Sequence, residues 1–174
     1  IVNITEWKEA KIAAEDYQKT IISDNDLLKL DPVHGVYTYA LNKLSIFVEQ
    51  LAQLPVLSQL SNAYGDAEDE YMPSGPPMSP LTKSYFTCWG FFDLCAGVKK
   101  ETFTSVTIDL CRFLSVDSRL IGVFEKMQNS RMGFYVHEGS SDKYIFLREL
   151  ITNREIKTIV PSGYRGTQGE IWFA

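Results

Sequence analysis

The chain has 174 residues, of which 45% are hydrophobic and 13% aromatic, so it can bury the core of one ordinary domain. A net charge of −5 argues against a dedicated nucleic-acid-binding protein, because such proteins present a basic surface. The apolar runs all fall short of the ~18 residues that span a membrane. We therefore expect a single domain over residues 1–174 that makes no membrane contact.

The charged residues are distributed unevenly along the sequence. Residues 1–87 hold six lysines, no arginine and twelve acidic residues, whereas residues 88–174 hold five lysines, six arginines and ten acidic residues. Arginine forms planar pairs with carboxylates and phosphates, so the second half is the place to expect an interface or an anion site. Docking of the two halves through opposite charge would explain the same asymmetry.

The three cysteines, Cys88, Cys95 and Cys111, contain no C-x-x-C pair, and their spacing fits neither a structural zinc site nor a disulfide framework. We therefore expect a reducing, cytoplasmic setting. The acidic run "GDAEDE" at 65–70 lacks the alternation of a calcium loop and is interpreted as solvated. We expect no metal ion and no cofactor.

Two helices are predicted in the first third of the chain. Residues 5–22 place apolar side chains on a loosely helical face, and residues 33–54 follow the i, i+3, i+4 pattern of a core helix closely. Asp31 and Pro32 are typical of an N-cap followed by proline at the first helical position. A helical layer over residues 1–60 follows from this pattern.

The middle of the chain is predicted to be mixed. Residues 61–80 are acidic and then proline-rich, which predicts a stiff, extended loop because proline fixes φ. The aromatic and threonine content of residues 82–93 predicts a central strand with two apolar faces. Residues 102–113 fit a strand or a helix, and a helix capped by Asp117 or Ser118 is predicted to end at Gln128.

From residue 131 onward the hydrophobic period changes to two. Four short runs separated by turn residues, "GFYVHEG", "KYIFLREL", "EIKTIVP" and "GEIWFA", predict a four-stranded antiparallel meander over 131–174, with a half-barrel as an option. The whole is an α+β fold, with a mixed middle over 81–130. The chain lacks an initiating Met and stops inside a predicted strand, so we expect a fragment, or a chain trimmed at both ends.

The candidate catalytic residues are Cys88 and His137. A nucleophilic cysteine needs a nearby base, and these two could meet in a cleft between loop 72–80 and the meander. His34, in the first turn of the core helix, is more typical of a partly exposed helix start. The sequence contains no G-x-S-x-G elbow, P-loop, G-x-G-x-x-G or H-E-x-x-H motif, which lowers the expectation of an enzyme.

The candidate binding residues fall into two groups. Met72 and Met78 belong to the proline-rich loop, which could form the wall of a pocket or interface. The meander contributes the aromatic and basic side chains that could hold an anion or a single strand of nucleic acid, namely Tyr135, His137, Lys157, Tyr164 and Arg165. The glycine-rich run "SGYRGTQG" around Arg165 would let backbone approach a ligand closely.

These observations favour a non-enzymatic interaction or regulatory domain of a bacterial cytoplasm, with a protein partner or a second copy of itself. A small hydrolase with its cleft beside loop 72–80 is the alternative. Binding of an anion or single-stranded nucleic acid by the meander is a weaker one, since the net charge makes nucleic acid an unfavourable partner.

Overall fold

The computed structural model describes residues 4–72, 80–129, 132–160 and 163–174, and the side chains of residues 4, 6, 7, 80 and 81 are left aside. The helices in this part of the chain are α1 (Ile4–Gln18), α2 (Asp24–Leu27), α3 (Pro32–Ala52), α4 (Ser58–Tyr71), α5 (Pro80–Phe92), α6 (Phe103–Phe113) and α7 (Ser118–Gln128). The strands are β1 (Phe134–Ser141), β2 (Tyr144–Glu149), β3 (Glu155–Thr158) and β4 (Ile171–Phe173). The predicted α+β class is confirmed.

Helix α3 is the centre of the helical layer. Its N-terminus forms as predicted, because the Asp31 carboxylate accepts a hydrogen bond from the backbone N–H of Val33 at 3.0 Å and Pro32 occupies the first turn. Its apolar face buries Leu44, Val48 and Leu51. The helices that pack against it include α1, α2, α4, α6 and α7.

The acidic part of residues 61–80 is helical, and the loop prediction was wrong there. Helix α4 extends from Ser58 to Tyr71, and a 3₁₀ turn at Pro55–Leu57 precedes it. Leu60, Tyr64 and Ala67 follow helical spacing and pack inward, while the four carboxylates between 66 and 70 point to solvent. Residues 73–79, the proline-rich segment itself, lie outside the described residues.

The predicted strand over 82–93 was also wrong, since these residues form helix α5. Aromatic β-propensity is a weak signal that packing overrides. Phe91 and Phe92 are buried in the helical core, and the hydroxyl of Thr104 in α6 donates to the Phe91 carbonyl at 2.8 Å. The sequence pair Ser79-Pro80 repeats the cap-then-proline pattern of Asp31-Pro32, and it was the signal for a helix start.

The ambiguous segment 102–113 is helical. Thr102 and Ser105 form a capping box, in which each side chain accepts a hydrogen bond from the other residue's backbone N–H, at 3.0 and 2.8 Å. Asp117 caps α7 as predicted, by accepting from the backbone N–H of Arg119 at 2.8 Å. The regular elements that the structure describes within 81–130 are therefore all helices, although this region was predicted to be mixed.

The C-terminal sheet is antiparallel and four-stranded, as predicted, but its order is β3-β2-β1-β4. The fourth strand therefore pairs with β1 rather than continuing the meander beside β3. In the connection to β4, residues 163–170 lie against the face of the sheet that carries His137 and Trp172, and we call them the crossing segment. This crossing segment carries Tyr164 and Arg165, so the topology sets where both residues lie.

The described residues bury two separate apolar clusters. The larger lies among the helices and includes Leu44, Phe103 and Phe124, while the smaller lies on one face of the sheet and consists of Tyr135, Ile145 and Leu147 with partly buried neighbours. The described contacts that join the two layers include an ion pair, Lys143 with Asp31, and an edge-to-face ring pair, Tyr85 with Phe173. Within the described ranges no helix combines the length and apolar character needed to cross a bilayer.

Candidate functional site

A cleft opens where the start of α3 faces the sheet, and we call it the junction cleft. Its polar half has a volume of about 370 Å³. Lys29, Asp31 and His34 line it from the helical layer. The sheet and its crossing segment line the other side, through residues that include Asp142, Lys143, Tyr144, Ile159, Tyr164 and Arg165.

The apolar half of the junction cleft adjoins the polar half and has a volume of about 440 Å³. The two halves share His34, Tyr144 and Ile159. Val33 and Tyr37 enter the apolar half from α3, where i, i+4 spacing places them on the same side of the helix.

Asp31 has two roles at the mouth of this cleft. It caps α3, and its other carboxylate oxygen lies 2.9 Å from Nζ of Lys143, which follows β1. The Lys143 ammonium and the Val33 N–H hold the pKa of Asp31 below its ordinary value of 3.8. The pair joins residues 112 positions apart in the chain, so it fixes the start of α3 against the sheet.

The positively charged side chains of the junction cleft differ in the protein groups that they already contact. Lys29 pairs with Asp26 and Lys143 pairs with Asp31. Nζ of Lys157 lies 3.8 Å from the ring centroid of Tyr144, a cation–π contact. Arg165 is exposed and has no acidic partner in the described ranges, so its guanidinium is open to an external anion.

The crossing segment is held in place by Trp172 of β4. The Tyr164 ring stacks on the Trp172 ring at 5.7 Å, and the indole N–H donates to the Glu170 carboxylate at 3.0 Å. This indole hydrogen bond is the main cause that lowers the pKa of Glu170. Gly166 has φ of +64°, and a Cβ there would lie 2.4 Å from Cζ2 of Trp172, so the close approach requires glycine.

His137 of β1 contacts the backbone of the same segment. It is 2% exposed, and its Nε2 lies 2.7 Å from the carbonyl oxygen of Arg165. Because a carbonyl only accepts, Nε2 donates to it, while Nδ1 has no hydrogen-bond partner in the described structure. His137 therefore positions the backbone of Arg165 rather than lining the cleft itself.

The predicted binding residues of the meander are partly brought together. Tyr164 and Arg165 line the polar half and Lys157 lines the apolar half of the junction cleft. Tyr135 is buried in the sheet core, outside the lining of either half. A role in binding for these residues stays a prediction.

The other predicted site residues lie elsewhere. Met72 is the C-cap that follows α4 and is not part of the cleft lining, while Met78 lies outside the described residues. The proposed pocket beside loop 72–80 therefore stays a prediction. Cys88 lies in α5 against the phenol of Tyr37, and His137 lies in the sheet against Arg165 and Trp172, so their described partners differ.

The thiol of Cys88 is in surroundings that disfavour its ionised form. Burial raises its pKa and outweighs the opposing hydrogen bond with Tyr37. Burial, with Cys88 beside the phenol, raises the pKa of Tyr37 to about 12. Both groups are therefore protonated at neutral pH, whereas a nucleophilic cysteine needs a lowered pKa.

Several cleft residues had no functional signal in the sequence. Asp31 was recognised only as a helix cap, His34 only as a helix start, and Lys143 was not singled out. They meet because α3 packs against a hairpin more than 100 residues later in the chain. A pairwise contact of that separation leaves no local pattern, so only the fold reveals it.

The face of the sheet opposite the Tyr135, Ile145 and Leu147 cluster, which we call the outer face, carries exposed apolar side chains and contacts α5 where Phe173 meets Tyr85. Alternation along β1 and β4 places Phe134 opposite Phe173 and Val136 opposite Ile171 on this face. Phe134, Phe146, Ile171 and Phe173 are all exposed, and the rings of Phe134 and Phe173 contact each other at 5.3 Å. Exposed apolar side chains grouped in this way are typical of interaction surfaces.

Within the described ranges no group of three or more His, Cys, Asp or Glu side chains is arranged to hold a metal ion. We compared the chain with family models, curated proteins and solved structures, and none of them matches. The geometry of the junction cleft is therefore the basis for a functional assignment.

Proposed function

We propose that this chain is a non-enzymatic interaction or regulatory domain that binds its partner through an anionic group held in the junction cleft. The observation that carries the proposal is Arg165, an exposed residue of the lining of the polar half that has no acidic partner in the described structure. Lys29 and Lys143 line the same half, whose acidic residues are Asp31 and Asp142. The polar half therefore carries an excess of positive charge within an acidic protein.

The support beneath Arg165 strengthens the proposal. Its backbone carbonyl is held by buried His137, and the adjacent Tyr164 is stacked on Trp172. A fixed segment loses little conformational entropy when a ligand binds. Guanidinium binds carboxylates and phosphates with two parallel hydrogen bonds, which suits a site that recognises one anionic group.

The experiment is calorimetric titration with inorganic phosphate and with a tetraglutamate peptide at low ionic strength. We expect at least one to bind, and Arg165→Gln to weaken that binding by about tenfold, since a charge-assisted hydrogen bond contributes ~1.5–3 kcal/mol. Added salt should weaken binding as well, because the cleft is open to solvent.

The matched control is Lys99→Gln, which removes one positive charge from an exposed turn outside the cleft lining. The control should bind like the unsubstituted chain. If neither probe binds, or if both variants lose affinity equally, Arg165 is not part of an anion site and the proposal is wrong.

The outer face of the sheet supports a second candidate function, self-association or docking of a protein partner. Four apolar side chains, Phe134, Phe146, Ile171 and Phe173, are exposed there. Light scattering at increasing concentration should show a dimer that the double substitution Phe146→Ser and Ile171→Ser returns to monomer. A strict monomer for the unsubstituted chain at all concentrations contradicts self-association through this face.

The hydrolase alternative has less support. It requires a reactive thiolate at Cys88, while burial raises the pKa of that thiol. It also requires a base within hydrogen-bonding reach, and the described partner of Cys88 is the phenol of Tyr37. We therefore propose binding rather than catalysis as the function.

A further inference from the structure

We infer that the helical layer holds a second binding site, which takes a free α-amino acid with an apolar side chain. The site is a single cavity of about 230 Å³ with walls that include α3 and α5, and we call it the helical pocket. It shares no described lining residue with the junction cleft, so it is a separate site and does not depend on the function proposed above.

The deepest part of the helical pocket belongs to the hydrophobic core. Val48, Phe91 and Phe103 line it, and each is at most 7% exposed. Cavities between packed helices with apolar walls and a few polar groups are typical small-molecule sites. The volume lies below the ~300–1,000 Å³ of sites for drug-sized ligands, so the pocket suits a smaller molecule with an apolar side chain.

A buried hydroxyl without a described partner lies in the same pocket. Ser45 of α3 lines the pocket and is only 8% exposed, and no described hydrogen bond satisfies its hydroxyl. By contrast, the hydroxyl of Ser61 donates to the carbonyl oxygen of Ala52 at 2.9 Å. Because buried polar groups are normally hydrogen-bonded, the Ser45 hydroxyl indicates a ligand that brings a polar group to this depth.

Two helices contribute complementary pairs of polar side chains to the lining. Ser45 and Glu49 are four residues apart on α3, so they lie on the same side of that helix. Lys83 and Thr87 have the same spacing on α5. The α3 pair offers a hydroxyl and a carboxylate to an ammonium group, whereas the α5 pair offers an ammonium and a hydroxyl to a carboxylate.

The charges of the helical pocket are open to a ligand. Glu49 is half-buried and Lys83 is exposed, and neither belongs to an ion pair in the described part of the chain. The described ion pairs of α1, Lys11 with Glu15 and Lys19 with Asp16, leave both residues out.

Tyr64 of α4 adds a neutral wall beside α5. Its ring lies 5.1 Å from the Phe86 ring, and its phenol shares a hydrogen bond with Thr87. Burial is the main cause that raises the pKa of Tyr64, so the phenol is protonated at neutral pH. The charged residues of the described lining are therefore Glu49 and Lys83, which balance each other. A lining with one charge of each sign favours a zwitterion over a ligand with a net charge.

The test is calorimetric titration with L-leucine, L-phenylalanine and two leucine analogues that each lack one charged group, isoamylamine and isocaproate. We expect L-leucine to bind at least about tenfold more tightly than either analogue, because each analogue loses the charge-assisted hydrogen bonds of one wall. Glycine keeps both charges but should bind more weakly than L-leucine, because it leaves the apolar part of the pocket uncovered.

Two substitutions assign the charged groups. Glu49→Gln should weaken binding of L-leucine and isoamylamine but not of isocaproate, whereas Lys83→Gln should weaken binding of L-leucine and isocaproate but not of isoamylamine. The matched controls are Glu9→Gln and Lys99→Gln, which remove exposed charges outside the described lining. Both controls should bind L-leucine like the unsubstituted chain.

A third substitution tests the buried hydroxyl. Ser45→Ala should weaken binding of L-leucine and isoamylamine without lowering thermal stability, since the hydroxyl has no described protein partner and alanine favours the helix. A loss of stability would show that the hydroxyl is bonded within the protein, and would overturn its assignment to a ligand.

The remaining outcomes decide the inference. Absence of binding to both L-leucine and L-phenylalanine overturns it, and so does an affinity for L-leucine no higher than for its two analogues. Binding that survives both Glu49→Gln and Lys83→Gln lies elsewhere on the protein and overturns it as well. Arg165→Gln should leave binding of L-leucine unchanged, so the helical pocket and the junction cleft are tested separately.

Discussion

Two glycines in the crossing segment show how single residues shape the junction cleft. Gly163 and Gly166 both adopt positive φ, at +72° and +64°. A Cβ at Gly163 meets nothing within 4 Å, whereas a Cβ at Gly166 would overlap the Trp172 ring. The two positions therefore share the backbone requirement and differ only in the space around them.

We predict that Gly163→Ala costs only the backbone strain of a left-handed residue, about 1–2 kcal/mol, and preserves anion binding. Gly166→Ala should cost more and weaken binding, because Trp172 must move and the stacked Tyr164 moves with it. Thermal unfolding and phosphate titration measure the two effects. Equal losses in both variants would show that the packing against Trp172 does not organise the site.

The three cysteines provide a test of reactivity at the same scale. Burial raises the pKa of Cys88 and of Cys111, while Cys95 is exposed. A raised pKa means less thiolate at a given pH, and the thiolate is the reactive form. We predict that iodoacetamide at pH 8 modifies Cys95 first, as read by peptide mass spectrometry. Cys88 reacting fastest would revive the hydrolase hypothesis.

At the scale of secondary-structure elements, the sequence-based predictions were correct where a capping residue or a regular hydrophobic period marked the element. Asp31-Pro32 and Asp117 each marked a helix start, and alternation located four strands within a few residues of their observed ends. The failures were α4 and α5, where charge and aromatic content suggested loop and strand. Their helical state depends on burial against neighbours, such as Phe91 and Phe92 within the helical core, which local composition does not encode.

The contact between α4 and α5 gives a direct test of that packing. A Cβ at Gly90 of α5 would lie 2.2 Å from the Tyr64 ring of α4, whereas a Cβ at Gly65 of α4 meets nothing within 4 Å. Both glycines lie inside helices, where alanine is intrinsically favoured by up to ~1 kcal/mol. Alanine gains the same intrinsic helix preference over glycine at both positions, so the two substitutions differ only in the steric overlap with the Tyr64 ring at Gly90.

We predict that Gly65→Ala stabilises the protein by up to about 1 kcal/mol and that Gly90→Ala destabilises it by about 1–3 kcal/mol, the usual cost of overpacking. Urea denaturation monitored by circular dichroism measures both. Stabilisation by Gly90→Ala would mean that α5 does not pack closely on Tyr64.

For the whole molecule, the decisive feature is how the helical layer and the sheet meet. Their apolar clusters are separate, and the ion pair between Asp31 and Lys143 closes the boundary beside the cleft. The sequence supplied parts of this site, in Tyr164, Arg165 and Lys157. The sequence did not reveal that Asp31 and His34, from the first half of the chain, belong to the same site. Contacts between residues more than 100 positions apart follow from packing and leave no local hydrophobic period.

We predict that Asp31→Asn loosens the junction and leaves α3 intact, because asparagine caps helices as well as aspartate does. Hydrogen exchange should increase at residues 143–145. The control is Asp26→Asn, which removes a pair that is local to one helical turn, Asp26 with Lys29. Increased exchange in the control, or none in Asp31→Asn, would show that the ion pair does not hold the layers together.

The same pair predicts a pH dependence. The pKa of Asp31 is lower in the folded protein than its ordinary value of 3.8, so the pair stabilises the folded state fully above that value. The stabilisation is lost as the pH falls below 3.8 through the folded pKa. Exchange at the junction should therefore rise in that window for the unsubstituted chain, and the Asp31→Asn variant should lack this step.

The central claim is that the junction cleft, at the boundary of the two layers, binds an anion. Its most direct test is a heteronuclear NMR titration with inorganic phosphate, which reports the position of binding residue by residue. The account predicts shifts concentrated at residues 29–34, 142–145 and 163–165, and their loss in Arg165→Gln. Shifts confined to the outer face of the sheet, or spread evenly over the surface lysines, would contradict it.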